Sequence, residues 1–329
     1  MSGTSPSRRQ APFIIGLVLI LAALPLGYWL FLRPPPPPPP APPPPVVVAP
    51  PVEEKLPDKP VKMEISEVSG TVEVRREGGN WESAKPGESL HPSDAVRTKD
   101  GSYAVLIGGE SVVINMDPGT EVSVQELSSE VSRILLESGM ATTTVRPGKL
   151  HMIEVKAAGS DAVARSTEGT FTMTNDGAGT VAVGTRQGEV SFLGNGKVVI
   201  VRAGQQSVVR PGTAGPSEPT QIPTSLLRKV QWPAGRQNKR EITVQGEAEP
   251  GSRLEIAGQA FSPKKDGTFT RTVSLKEGEN EVKLKVSSVG GNAEEASQKF
   301  HVDTKPPKLK ITPPWENSGG QGTPAQGPE

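Results

Sequence analysis

The chain of 329 residues balances 36 Lys+Arg against 36 Asp+Glu and holds 36 Gly, 35 Pro and no Cys. Neutrality sets it apart from nucleic-acid binders, which carry a basic excess, so no nucleic-acid partner is expected. Without cysteine there is no disulfide, thiolate metal site, thiol nucleophile or lipidated N-terminal Cys, and any membrane attachment has to be peptidic. Gly and Pro exceed a fifth of the chain while aromatics are 4%. That describes linkers and turn-rich β structure, and the length favours several modules over one core.

Residues 1–10 carry Arg8 and Arg9, and an uncharged run rich in Ile, Leu and Val follows over 11–32. As one α-helix that run would reach about 33 Å, against a hydrocarbon core of about 30 Å. It is apolar all round, which reads as a transmembrane helix meeting the membrane between Phe13 and Leu32. Pro25 should kink it, and Tyr28 and Trp29 suit an interfacial position. A cleaved secretory signal is the competing reading, but the run exceeds an ordinary signal core and Leu32-Arg33-Pro34 is no small-residue cleavage site. Arg8 and Arg9 against Arg33 alone put residues 1–10 in the cytoplasm and the bulk of the chain outside it. Fifteen of the 35 prolines lie within 34–60. Residues 33–61 are therefore expected to form a polyproline II spacer, of which 34–60 would reach roughly 80 Å at about 3.1 Å per residue.

From Lys62 to Pro211 the pattern becomes short alternating strands: 68–75 (VSGTVEVR), 104–107, 111–115 (SVVIN), 121–125, 142–146, 170–174, 180–184 and 197–202 (KVVIVR). Two-residue periodicity, β-branched enrichment and Gly- and Asn-rich turns predict an all-β module. Only 126–138 (ELSSEVSRILLES) is ambiguous. GTVEV from Gly70, followed by KPGESL, is echoed by GEVSF from Gly188, followed by RAGQQS. The echo predicts one hairpin unit used twice.

The blocks GTVEVRREGGNW (70–81), PGESLHPSDAVRT (86–98), DPGTEVSV (117–124), LESG (136–139), ARSTEGTFTMTNDGAGTVAVGTRQGEVSF (164–192) and VIVRAGQQ (199–206) together resemble the FecR domain family. The resemblance implies a β-solenoid-like twisted sandwich in the periplasm over 62–211. The chain departs from the family at Ser93-Asp94, where Gly-Asp is usual, and at Gly109-Glu110-Ser111, in place of Asp-Gly-Ser. The family's regulators hold a sigma factor through a cytoplasmic helical domain. MSGTSPSRRQ is too short for one, so the resemblance implies the periplasmic module without the transcriptional role.

Residues 212–224 read as a linker. Strand-like runs resume at 226–232, 241–246, 252–256, 268–275, 280–287 and 296–303, predicting a small sandwich over 225–304. ITVQGEAEPGSRLEIAG, DGTFTRTVSLKEGENEVKLKV and GGNAEEASQKFHVDTKPP resemble a bacterial Ig-like domain. Residues 305–329 have the composition of a disordered tail.

Chemistry-bearing constellations are sparse. His91, His151 and His301 lack metal-ligand spacing and read as surface or turn residues. Gly194-Asn195-Gly196-Lys197 fails the phosphate-loop spacing and reads as a hairpin turn. Asp161 with Glu168, or Asp94 with Glu88, could be drawn as hydrolase pairs but read as solvated charges. Arg228, Lys229, Arg236, Lys239 and Arg240 read as guards of a strand edge. No catalytic, cofactor or metal residue is expected. The function expected is a non-enzymatic, single-pass inner-membrane protein presenting FecR-like and Ig-like β domains in the periplasm for binding or scaffolding. The alternative is a transmembrane signalling protein that senses an envelope ligand.

Overall fold

The structure, a computed structural model, describes residues 11–32, 62–147 and 151–305. The expected segments 1–10 and 33–61, and all but Lys305 of the expected tail 305–329, lie outside these residues. The chain divides into two compact units, 1–56 and 57–329, each described by itself.

In the first unit α1 (Ala11–Gly27) passes directly into a π-helical segment, Tyr28–Leu32. The run is therefore not the single uniform α-helix expected over 11–32. Pro25 offers no N–H and its ring crowds the preceding turn, so the regular ladder gives way just after it. Taken singly, no helix among the described residues is long and apolar enough to cross a membrane; α1 alone spans about 25 Å. Its apolar side chains face outward on all sides, with Ile15, Val18, Leu21 and Leu24 all more than half exposed.

The second unit is β throughout. Its first module comprises β1 (Met63–Ser69), β2 (Val72–Arg75), β3 (Trp81–Ser83), β4 (Glu88–Leu90), β5 (Ala95–Thr98), β6 (Tyr103–Gly108), β7 (Val112–Met116) and β8 (Glu121–Leu127). It continues through β9 (Val131–Val145), β10 (Met152–Ala157), β11 (Val163–Ser166), β12 (Gly169–Asn175), β13 (Val181–Gly194), β14 (Lys197–Arg202), β15 (Gln205–Val209) and β16 (Thr220–Gln221). They form a front layer, ordered β16-β15-β13-β12-β9-β7-β6-β1-β4, and a back layer, ordered β3-β2-β5-β8-β9-β10-β11-β13-β14.

Two long strands belong to both layers. The first half of β9 pairs with β8 and, in parallel, with β10 at the back, and its second half with β7 and β12 at the front. The crossing is at Gly139, with φ +100°. A Cβ there would stand 2.5 Å from the Thr120 Cα, so only glycine lets the strand change layers at this contact. In the same way β13 pairs with β12 and β15, passes Gly188 at φ +74°, and continues with β11 and β14.

The repeat seen in the sequence has a structural counterpart. β1 and β2 are separated by Gly70 at φ +77°, β2 pairs with β3, and β4 returns to β1. Around Gly188 the order β13, β14, β15 is the same, as one strand crossing layers, a back hairpin and a return. The expected strand 68–75 is thus two, broken at Gly70, while the ambiguous 126–138 is the end of β8, a turn at 128–130 and the first half of β9. Ile134 and Leu136 alternate into the core at 0% exposure, a period of two that only an extended chain supplies. One core joins both layers, with Ile65, Leu106, Ile114, Phe171 and Met173 from the front and Val74, Val122, Ile134 and Ile153 from the back.

The second module holds β17 (Leu227–Gln231), β18 (Arg236–Gln237), β19 (Glu241–Ala248), β20 (Arg253–Ile256), β21 (Gln259–Phe261), β22 (Thr268–Ser274), β23 (Gly278–Ser287) and β24 (Ala293–Val302). A three-stranded sheet, β17-β19-β22, and a five-stranded sheet, β18-β24-β23-β20-β21, enclose a core of Val244, Leu254, Leu284, Val286 and Phe300. Residues 212–224 are engaged by the first module. Ser217 N–H donates to Val208 O (3.0 Å), Ser217 Oγ accepts from Val208 N–H (3.1 Å), and β16 pairs with β15.

Candidate functional site

The sequence candidates are scattered among the described residues. His91 is exposed, 3.6 Å from Asp94, and His301 meets Glu279 at 2.6 Å. His151 is buried, contrary to the surface or turn position expected: its Nε2 lies 2.9 Å from Ser132 Oγ and its Nδ1 3.0 Å from Ser129 O. Both ring nitrogens find partners, and that satisfies the imidazole in the core.

Asp94 and Glu88 do come together, through Arg76, whose guanidinium reaches Glu88 at 2.5 Å and Asp94 at 2.6 Å. Burial raises the Asp94 pKa, but N–H donation from His91, the Arg76 pair and a bond from Glu77 outweigh it and hold the carboxyl below its usual range. The pair is a fixed ionic brace. Asp161 lines an open hollow of about 310 Å³ with Asn195 and Arg210, and Glu168 is exposed outside that lining. Asn195 (φ +47°) and Gly196 (φ +74°) make a two-residue turn closed by the Gly194–Lys197 pair, the geometry of a primed hairpin turn. Arg228 and Arg240 are paired with Glu249 and Glu277, at 2.7 and 3.4 Å.

Three further features emerge only in three dimensions. The first is a seam between the two β modules. Arg253, at the start of β20, donates from Nη2 to Gly119 O at 2.8 Å and to Pro118 O at 3.4 Å. Asp100 accepts from Ala260 N–H at 3.2 Å, and Thr174 Oγ1 donates to Gly251 O at 2.8 Å. Gly251 adopts φ +85°, and a Cβ there would stand 2.5 Å from Ala182 Cβ. Val289 packs on Ala182 and Val208, closing an apolar patch of its own. A small cavity of about 110 Å³ remains, lined by Asp117, Arg253, Glu255 and Lys285. Burial raises the Asp117 carboxyl above its usual range, against the pull of Lys285, Arg253 and Arg186.

The second feature is the ionic outer face of the back layer. Glu154, 3% exposed, is held by Arg133 (2.6 Å) and Arg165 (2.7 Å), with Lys156 at 3.6 Å. Burial raises its pKa, and the two arginine bonds outweigh that, leaving the carboxyl below its ordinary value. Nearer β3, Trp81 is flanked by the guanidinium groups of Arg75 and Arg97, 4.6 and 4.0 Å from its ring centre.

The third feature lies at the other end of that face. A groove of about 350 Å³ runs between Met152, Arg165, Glu189, Leu193 and Val198. These features rest on pairings across long sequence separation, and none leaves a local motif.

No family model and no curated protein matches the chain. Among solved structures it is similar to a candidate anti-sigma factor from Parabacteroides distasonis, in crystal structures at 2.50 and 1.65 Å resolution. Identities are 16% and 15%, and both have a TM-score of 0.33 and cover 39% of this chain. The chain spans 59% of the length of those structures. A polysaccharide lyase matches over 74% of this chain and 40% of its own, at 10% identity and a TM-score of 0.19. Neither likeness is close enough to assign a family or an activity.

Proposed function

We propose that this chain is a non-enzymatic protein of the inner membrane that presents a FecR-type module and an Ig-like module in the periplasm, as one stiff piece, for binding or scaffolding. The observation that carries the reading is the seam. Side chains of one module bond to the backbone of the other, and Gly251 and Val289 close against Ala182. Two modules locked in this way present their surfaces in fixed register, which suits a scaffold and holds binding epitopes without ordering cost at each encounter.

Anchorage rests on the N-terminal segment. Its helical residues run without a break from Ala11 to Leu32, carry no charge, and expose apolar side chains on every side, a surface that water does not favour. The greater positive charge before the segment supports a cytoplasmic N-terminus. The FecR-type and Ig-like assignments rest on the ordered sequence blocks, and strand pairing that repeats around Gly70 and Gly188 is in keeping with the first.

Protease treatment of intact spheroplasts expressing the full chain tests the topology. Digestion of the β unit without lysis is expected, and protection of residues 62–305 until the cells are lysed would overturn the reading.

A further inference from the structure

We infer that the free edge of β14 is a docking site for an extended strand of a partner protein, apolar at alternate positions and acidic at its ends. The inference rests on the reading of this chain as a binding protein and names the chemistry of what it binds.

Among the described residues, the first module has four edge strands. β4 and β3 have three residues each and β16 two, short edges of the kind that avoid pairing with other chains. β14 is the exception, with six residues reading KVVIVR. It pairs with β13 on one side, and among the described residues no strand pairs with the other. A row of backbone donors and acceptors is left open along its length, the template that strand addition uses.

The side chains beside that edge are apolar where an edge is usually charged. Outside the N-terminal helix, the large apolar side chains exposed among the described residues are Tyr103 (44%), Val198 (54%), Ile200 (36%) and Met152 (36%). Three of these four lie on the outer face of the back layer, at or near β14. Val198 and Met152 line the groove of about 350 Å³ together with Leu193, Arg165 and Glu189. Alternate side chains of an added strand would lie beside Val198 and Ile200 on this face, extending its apolar surface, while the backbone pairs with β14.

Charge selects the occupant. β14 begins with Lys197 and ends with Arg202. KVVIVR holds two cations and no carboxylate, so pairing β14 with a second copy of itself would gather four positive charges on two strands with nothing opposite in sign between them. A strand with Asp or Glu at its ends meets both cations favourably in either direction. Among the described residues the ion pairs of Lys197 and Arg202 are with exposed carboxylates, Glu218 at 2.7 Å and Glu189 at 3.9 Å, and exposed pairs of this kind exchange at little cost.

The test uses purified full-length protein in lipid nanodiscs and two labelled peptides, acetyl-Glu-Val-Thr-Val-Thr-Val-Glu-amide and its Lys-ended counterpart, read by fluorescence anisotropy. The Glu-ended peptide should bind at least tenfold more tightly. Ile200→Lys should weaken it at least tenfold, and the double variant Lys197→Glu/Arg202→Glu should invert the preference. Circular dichroism and Tm report whether each variant keeps its fold, which surface changes should not disturb. Absence of binding, equal affinity for both peptides, or indifference to Ile200→Lys would overturn the proposal. So would a wild-type dimer in sedimentation that Ile200→Lys dissociates, since the edge would then belong to a second copy. Binding in nanodiscs is independent of which side of the cell membrane the β unit faces, so its failure and a failed protease assay are separate results.

Discussion

Single residues show where the local chemistry of this chain strains against its fold. Ser93 sits at φ +77°, a conformation in which a side chain crowds the backbone and glycine does not. The FecR-like pattern has glycine at this place, and the backbone explains why: Asp94, next in sequence, must turn inward to accept from His91 N–H at 2.9 Å and from Arg76. Ser93→Gly should therefore stabilise the fold by about 1 kcal/mol, seen as a higher midpoint in urea.

Glu154 makes the opposite case, a carboxylate whose partners are its reason to be buried. Glu154→Gln keeps the shape but removes the ion pairs to Arg165 and to Arg133, which keeps Glu126, and should cost about 2 kcal/mol by chemical denaturation. Its pH dependence has a definite sign. The folded carboxyl lies below its ordinary value of 4.5, so the unfolded chain takes up the proton first as pH falls. Its contribution is complete above about 4.5 and is lost as pH drops through the folded value. Asp117 runs the other way, because burial raises its carboxyl and ionisation costs stability there. In Glu154→Gln the acid-side decline of Tm should be shallower than in the parent.

At the scale of elements, the strands were legible and their arrangement was not. Alternation located β6, β7, β8, β14 and most of the second module, because each has one buried face and the side-chain period is two, and it located β12 too, where polar threonines alternate with apolar residues although both faces are buried. The same logic divided β9 into an ambiguous stretch and a separate strand at 142–146. Gly139 reads as a break in a local window, yet in the fold it is the hinge by which one strand serves two layers. Only the Thr120 backbone packed against it reveals that role. Gly139→Ala should accordingly cost 3 kcal/mol or more, roughly, with loss of cooperative unfolding in circular dichroism. A glycine in an open turn such as Gly87, where a Cβ would meet nothing within 4 Å, should tolerate the change better despite its φ of +81°.

Across the whole molecule, the seam decides what kind of object the β unit is. Sequence reading placed a linker at 212–224 and left the modules as neighbours. The contacts that join them pair residues more than seventy positions apart, and most are side chain to backbone, as Arg253 with Gly119 and Thr174 with Gly251. Such contacts follow no periodicity and carry no compositional signal, so Arg253 looks like any charged strand residue. If the seam couples the modules, calorimetry of the full chain should show one transition for the β unit. The double variant Arg253→Ala/Val289→Asp should split it into two, each retaining the enthalpy of its own module.

The claim that most needs testing is that a stiff β unit is displayed to partners in the cell envelope. In-cell crosslinking of the full-length protein, with mass spectrometry of its neighbours, addresses it directly. Envelope proteins crosslinked to residues within 62–305 are the predicted result, and neighbours drawn solely from the cytoplasm would contradict it.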